Sequence, residues 1–221
     1  MPDINDLSSK LLKINPVKPE KKKILKAAQT LKRGGLVIFP TETVYGLGAN
    51  ALNTKAVRKV FKVKNRPINK PLILLIARKS DLKKLVQTIP GGARKVIKAF
   101  WPGPLTLIFR AKSNIPKEVT AGGETVAIRL SSNHVVKALI KAAGVPLTAP
   151  SANISGNKAQ SFVSPAIMAF KKRSEIDLIL DAGKTQGGIS TILDLTKNPP
   201  VILREGNISK SRLRKIIPEV K

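Results

Sequence analysis

The 221-residue sequence contains no cysteine, which excludes disulfides, thiolate metal ligands and a cysteine nucleophile. Histidine is almost as scarce. His134 is the single imidazole, so a multi-histidine zinc site cannot form, and a Ser-His-Asp arrangement would have to be built around that one residue. Aromatic residues make up 4% of the chain, which argues against a platform for stacking single-stranded bases. There is no run of about 18 apolar residues and no charged-then-apolar leader, so neither a membrane partner nor a secretory signal is expected, and a cytoplasmic location is. Acidic residues are also few. Thirteen Asp and Glu face 41 Lys and Arg, a net charge of +28 that exceeds what solubility requires. One reading is a polyanionic partner, nucleic acid or nucleotide phosphate. The other is a solvated basic surface, because the lysines are spread along every predicted helix.

What is present is a 42% apolar chain, long enough to bury roughly 70% of its unfolded surface around one core. Residues 1–16 lack periodicity and read as a loosely held arm; 17–221 read as one domain. A helical stripe of Ile24, Leu25, Ala28 and Leu31 stops at Gly34-Gly35, as at a glycine cap. Short apolar runs at Leu36–Phe39, Leu72–Ile76, Leu105–Phe109, Val126–Leu130, Pro146–Ala149, Leu178–Leu180, Ile192–Leu195 and Val201–Leu203 predict strands. Helical patterns interleave at Thr54–Val63, Ser80–Ile89, Ala93–Phe100, Asn133–Ala143, Ser164–Lys172 and Ser209–Ile217, several opened by Ser, Thr or Asn. The alternation is not a strict βαβ repeat. It predicts an α/β fold of mixed α+β character, a twisted mixed β-sheet with flanking helices.

Five segments put polar groups at strand ends. In Phe39-Pro40-Thr41-Glu42-Thr43-Val44-Tyr45-Gly46-Leu47-Gly48, an extended chain would send Thr41, Thr43 and Tyr45 to one face, with glycines that let a ligand approach the backbone; an ordinary strand end with a turn is the alternative. Pro67 disfavours a helical Arg66, so an extended Lys64-Asn65-Arg66 would aim two cations one way, with Lys70 on the same loop. Such a pair suits a triphosphate, or is a solvated helix end. Ser151 and Asn153 follow an apolar run, where ligands bind in open sheets, or where a loop merely caps. Arg129 stands in the apolar run Val126–Leu130 and either faces solvent or holds an anion such as a carboxylate; Arg204 raises the same question. Ser190-Thr191 opens a strand after Gly187-Gly188. Hydroxyls, amides and cations with few carboxylates fit catalysis by positioning and charge stabilisation.

The same segments, GGLVIFPTETVYGLGANAL from Gly34, KNRPINKPLILLI from Lys64, WPGPLTLIF from Trp101, TVAIRL from Thr125 and APSANISG from Ala149, resemble the YrdC-like family of threonylcarbamoyl-AMP synthases over about Lys21 to Arg204. The resemblance implies a YrdC-like open sheet with a concave cationic cavity. It implies a nucleotidyltransferase that joins L-threonine and bicarbonate to the AMP of ATP, releasing pyrophosphate, with Mg²⁺ on the triphosphate and a downstream threonylcarbamoyl transferase acting on tRNA. By the family pattern Lys64, Arg66, Ser151 and Asn153 are catalytic. Arg66, Lys70, Thr125, Ser151 and Arg204 would bind nucleotide, and Thr43, Arg129, Ala149 and Ser190 would bind threonine. No protein metal site is implied. Leu75 and Ile189 depart from the family's usual residues near the amino acid. The competing reading is a basic RNA- or tRNA-binding module of the same fold, double-stranded RNA included, without synthase activity.

Overall fold

A computed structural model describes residues 9–157, 159–164, 166, 170 and 174–221. Its strands are β1 (Leu11–Lys13), β2 (Leu36–Phe39), β3 (Gly46–Gly48), β4 (Ile73–Ile76), β5 (Leu105–Arg110), β6 (Thr125–Leu130), β7 (Leu147–Thr148), β8 (Ile176–Asp181), β9 (Thr191–Asp194) and β10 (Val201–Arg204). The helices are α1 (Lys21–Lys32), α2 (Thr54–Lys64), α3 (Leu82–Leu85), α4 (Gly91–Phe100), α5 (Lys117–Thr120), α6 (His134–Ala143) and α7 (Lys210–Arg214).

The mixed sheet is divided in two, a four-stranded sheet ordered β1-β8-β2-β3 and a six-stranded one ordered β10-β9-β5-β6-β4-β7. Both mix parallel and antiparallel pairs. They meet where 45–51 runs antiparallel to 146–152. There the amides of Leu47, Thr148, Ala152 and Ala51 bond to Pro150, Ala49, Tyr45 and Pro146 oxygens.

Helix α1 carries Ile24, Ala27, Ala28 and Leu31 on its buried stripe, spaced as a helix face requires, and shares a cluster with Val135, Val136, Leu139 and Ile140 of α6. Both α2 and α6 open on asparagine caps. Asn53 Oδ1 accepts the Ala56 amide at 3.1 Å, and Asn133 Oδ1 accepts those of Val135 and Val136. The second cluster joins Leu36, Ile38, Val57, Val60 and Phe61 to Leu74, Leu107, Ile128 and Leu193, so both sheets share one core.

Three expectations change. The arm is pinned from Leu11, because β1 pairs with β8 in parallel and Ile14 is buried. The Ser80–Ile89 helix ends at Leu85: Val86 turns extended and makes an isolated bridge to Ala111, just past β5, so the pattern breaks at a β-branched residue. Segment 40–45 bends at 42–44 and is not an extended strand. Ser164–Lys172 lies largely outside the described residues.

Candidate active site

The bends after β2 are held by their own hydroxyls. Thr41 Oγ1 donates to the Val44 carbonyl at 2.7 Å, so the 2.9 Å contact between Thr41 and Thr43 must use the Thr43 proton. The Thr43 carbonyl accepts from Thr185 Oγ1 and from the Gly187 amide, which anchors the 183–190 loop beside it. Tyr45 is wholly buried, its hydroxyl donating to the Gly183 carbonyl, and burial drives its pKa up. It is therefore part of the frame, and the hydroxyl wall reduces to Thr41 and Thr43. Gly46 and Gly48 serve packing: a Cβ at Gly48 would run into the Phe39 ring.

A cavity of about 330 Å³ opens beside this segment. Thr43, Arg66, Arg129, Ala149, Ser151, Ser190 and Arg204 line it, with Ile73, Ile108, Ala127 and Ile192 as apolar wall. Sheet register explains the convergence. Leu75 pairs with Arg129, Arg129 with Thr106, Thr106 with Ile192 and Ile192 with Arg204, and aligned residues share a face. Residues far apart in sequence thus form one cross-strand row.

Arg129 is buried. Its Nε lies 3.6 Å from Glu42 Oε1 and its Nη1 donates to Thr43 Oγ1 at 3.3 Å, while Ser131 donates to the other Glu42 oxygen. Arg129 Nε and Glu42 Oε1 make no hydrogen bond among the described residues, so the pair is loosely closed. Burial lowers the Arg129 pKa and Glu42 opposes that shift. Arg204 donates Nε and Nη2 to the Ser190 carbonyl and Nη2 to Ser190 Oγ; burial, then the nearby Arg129 charge, lower its pKa. Two arginines against one carboxylate leave this end of the cavity in want of an anion.

At the other end Arg66 is folded back, Nε donating to the Lys70 carbonyl and Nη2 to Pro71. Lys64 is not extended: it is the last residue of α2, and the break falls at Asn65, whose left-handed φ of 49° ends the helix one residue before the one that Pro67 restricts. Its side chain is buried behind the wall, donating to the Ser151 carbonyl at 2.6 Å, to Asn153 Oδ1 at 3.2 Å and to the Asn153 carbonyl. Ser151 Oγ donates to the same Asn153 Oδ1 at 2.6 Å. Three acceptors match the three protons of an ammonium, yet burial and then Arg66 pull the pKa down to about 7.

Lys64 and Asn153 therefore brace the loop that carries Ser151, one layer behind the surface. Lys70 contributes its carbonyl and Thr125 sits at the start of β6, opposite Arg110; neither lines the cavity. Leu75 is fully buried off the wall, whereas Ile189 lies on it. A second cavity of similar volume, with Arg78, Asp81, Lys84 and Lys141, gathers none of these groups. The reading of the sequence had no role for Glu42 as counter-ion or for Thr106. The signal for Thr106 was a lone hydroxyl in the apolar run Leu105–Phe109, with the same alternation as Arg129 in its own strand.

The chain matches the family model Sua5_yciO_yrdC, described as "Telomere recombination", over residues 29–206. It is 42% identical over 203 residues to a threonylcarbamoyl-AMP synthase of Pyrococcus abyssi, covering 91% of this chain and 59% of that one. To the Bacillus subtilis threonylcarbamoyl-AMP synthase it is 44% identical over 196 residues, 88% and 56% of the two chains. This chain thus spans little more than half the length of these curated relatives. A crystal structure of P. abyssi Sua5 complexed with L-threonine superposes with a TM-score of 0.91 at 40% identity, covering 96% of this chain and 62% of that one. E. coli YciO superposes at 0.81 and 25% identity, covering 89% and 95%. The chain belongs to the Sua5/YciO/YrdC family.

Proposed function

We propose that this chain is an L-threonylcarbamoyladenylate synthase serving tRNA threonylcarbamoyladenosine modification. The observation that carries the reading is the gathering of Arg66, Arg129, Arg204, Thr43, Ser151 and Ser190 on one cavity of about 330 Å³. The net reaction joins the threonine nitrogen to the bicarbonate carbon with loss of water, and the resulting carbamate oxygen displaces pyrophosphate at the α-phosphorus of ATP. Arg129, Thr43, Ala149 and Ser190 would hold threonine, the Arg129 guanidinium meeting its carboxylate. Arg66, Ser151 and Arg204 would hold the nucleotide, with Lys70 and Thr125 reached only if the nucleotide extends beyond the cavity wall. Lys64 and Asn153 would keep the Ser151 loop in register.

Mg²⁺ would neutralise charge on the triphosphate when bound. Such an ion would be carried mainly by phosphate and water; among the described residues no group of three His, Cys, Asp or Glu is placed to hold a metal. Among the described residues no helix is long and apolar enough to cross a membrane. Action in the cytoplasm, loose binding of tRNA or double-stranded RNA by the basic surface, and supply of a downstream transferase belong to the same reading.

The test is mass-spectrometric detection of threonylcarbamoyl-AMP after incubation with ATP, L-threonine, bicarbonate and Mg²⁺. Pyrophosphate release should require threonine and bicarbonate; release indifferent to threonine would end the synthase reading. The alternative, an RNA-binding module, requires tight RNA binding in the absence of synthesis. Its loss on a modest rise in salt would mark nonspecific attraction.

A further inference from the structure

We propose that Thr106, buried beside Ser190 on the cavity-facing row of the sheet, is a positioning residue that fixes the Ser190 hydroxyl as a hydrogen-bond donor toward the carboxylate of an α-amino acid. The inference rests on the assignment of Ser190 to the amino-acid half of the cavity.

Thr106 lies in β5, has no exposed surface, and occupies the cross-strand row between Arg129 and Ile192. Its hydroxyl donates to Ser190 Oγ at 2.9 Å, and Arg204 Nη2 donates to the same oxygen at 3.0 Å. A serine hydroxyl has two lone pairs and one proton. Both lone pairs are taken by these two donors, so the proton is left with one direction. Ser190 lines the cavity, and among the described residues its hydroxyl is bonded only as an acceptor, from Thr106 and Arg204. The proton thus points at the ligand. Had Thr106 been valine, Ser190 could turn one lone pair forward and meet a donor instead. With threonine behind it, Ser190 and Arg129 together present donors only, and an ionised carboxylate is an acceptor-only group. A buried threonine without a partner would be costly, so its place in an apolar strand is explained by this bond.

The test compares L-threonine affinity by titration calorimetry for the unmodified chain and for Thr106→Val, Thr106→Ser and Thr106→Cys. Thr106→Val should bind L-threonine about three- to tenfold more weakly, the range for one neutral hydrogen bond, while ATP affinity holds. Thr106→Ser keeps the donor and should bind as the unmodified chain does. Thr106→Cys resembles serine in shape but donates weakly, so Ser tighter than Cys supports the proposal even if Thr106→Val fails to fold. Equal affinities of the Ser and Cys variants, or a parallel loss of ATP and threonine affinity in Thr106→Val, would overturn it. Failure of the unmodified chain to bind L-threonine overturns the amino-acid assignment and this inference with it. Binding that Thr106→Val leaves intact removes only the role of Thr106.

Discussion

Replacing Arg129 by methionine should separate what the residue does for stability from what it does for binding. The substitution keeps a long apolar stem but strands Glu42, which is 7% exposed, without its counter-ion. At the observed 3.6 Å, and with an effective dielectric constant of about 20, the lost attraction is about 5 kcal/mol. Measured losses on breaking buried pairs are about 3–5 kcal/mol. For a chain of this size that lowers Tm by roughly 6–20 °C. Adding Glu42→Gln removes the stranded charge while keeping an acceptor for Ser131, so the double variant should regain most of that stability in urea or thermal unfolding followed by circular dichroism. It should not regain L-threonine binding, which the proposed function assigns to the guanidinium. A double variant no more stable than Arg129→Met would show that the pair does not couple as its geometry requires. One that bound L-threonine normally would remove Arg129 from the amino-acid site.

Lys64→Met should cut kcat by about 10²-fold or more if the brace behind Ser151 positions the phosphates, whereas Lys22→Ala, on the exposed face of α1, should cost little. The same variant tests the lowered pKa. With a folded value near 7 and an unfolded one near 10.5, the unfolded chain holds more protons between these limits, so stability attributable to Lys64 rises with pH by up to about 1.4 kcal/mol per unit. Urea midpoints of the unmodified chain and Lys64→Met should therefore diverge between about pH 7.5 and 9.5; parallel profiles would mean that the three acceptors keep the ammonium charged. Gly48→Ala pushes a methyl group against the Phe39 ring and should cost about 1–3 kcal/mol, read as a fall in Tm with ligand affinity unchanged at a temperature where the variant is folded.

Much of the fold was legible because local signals were strong. Asn133 announced its helix, and the four-residue run Leu36–Phe39 could only be a buried strand. The three-residue β1 lacked the length to show a period. Proline arguments placed the break near Arg66 correctly but not its form, since the helix ended on a left-handed asparagine and left Lys64 inside it. At the site, the arginines could be suspected as polar intrusions in apolar strands. Their alignment could not be read, because register between β6, β5, β9 and β10 is set by pairings as far as 86 residues apart (Leu105 with Thr191) that leave no local mark. The roles of Glu42 and Thr106 are likewise properties of that pairing.

The join between the two sheets has a further consequence. The stretches 45–51 and 146–152 hold one another through main-chain amides and carbonyls, which every residue type except proline can supply in full. Side chains at the rim of the cavity are thus largely relieved of keeping the halves of the molecule together. Substitution at Ala149 or Ser151 can retune what the cleft accepts while the architecture stays put, so chemical preference and foldability can vary separately in this scaffold.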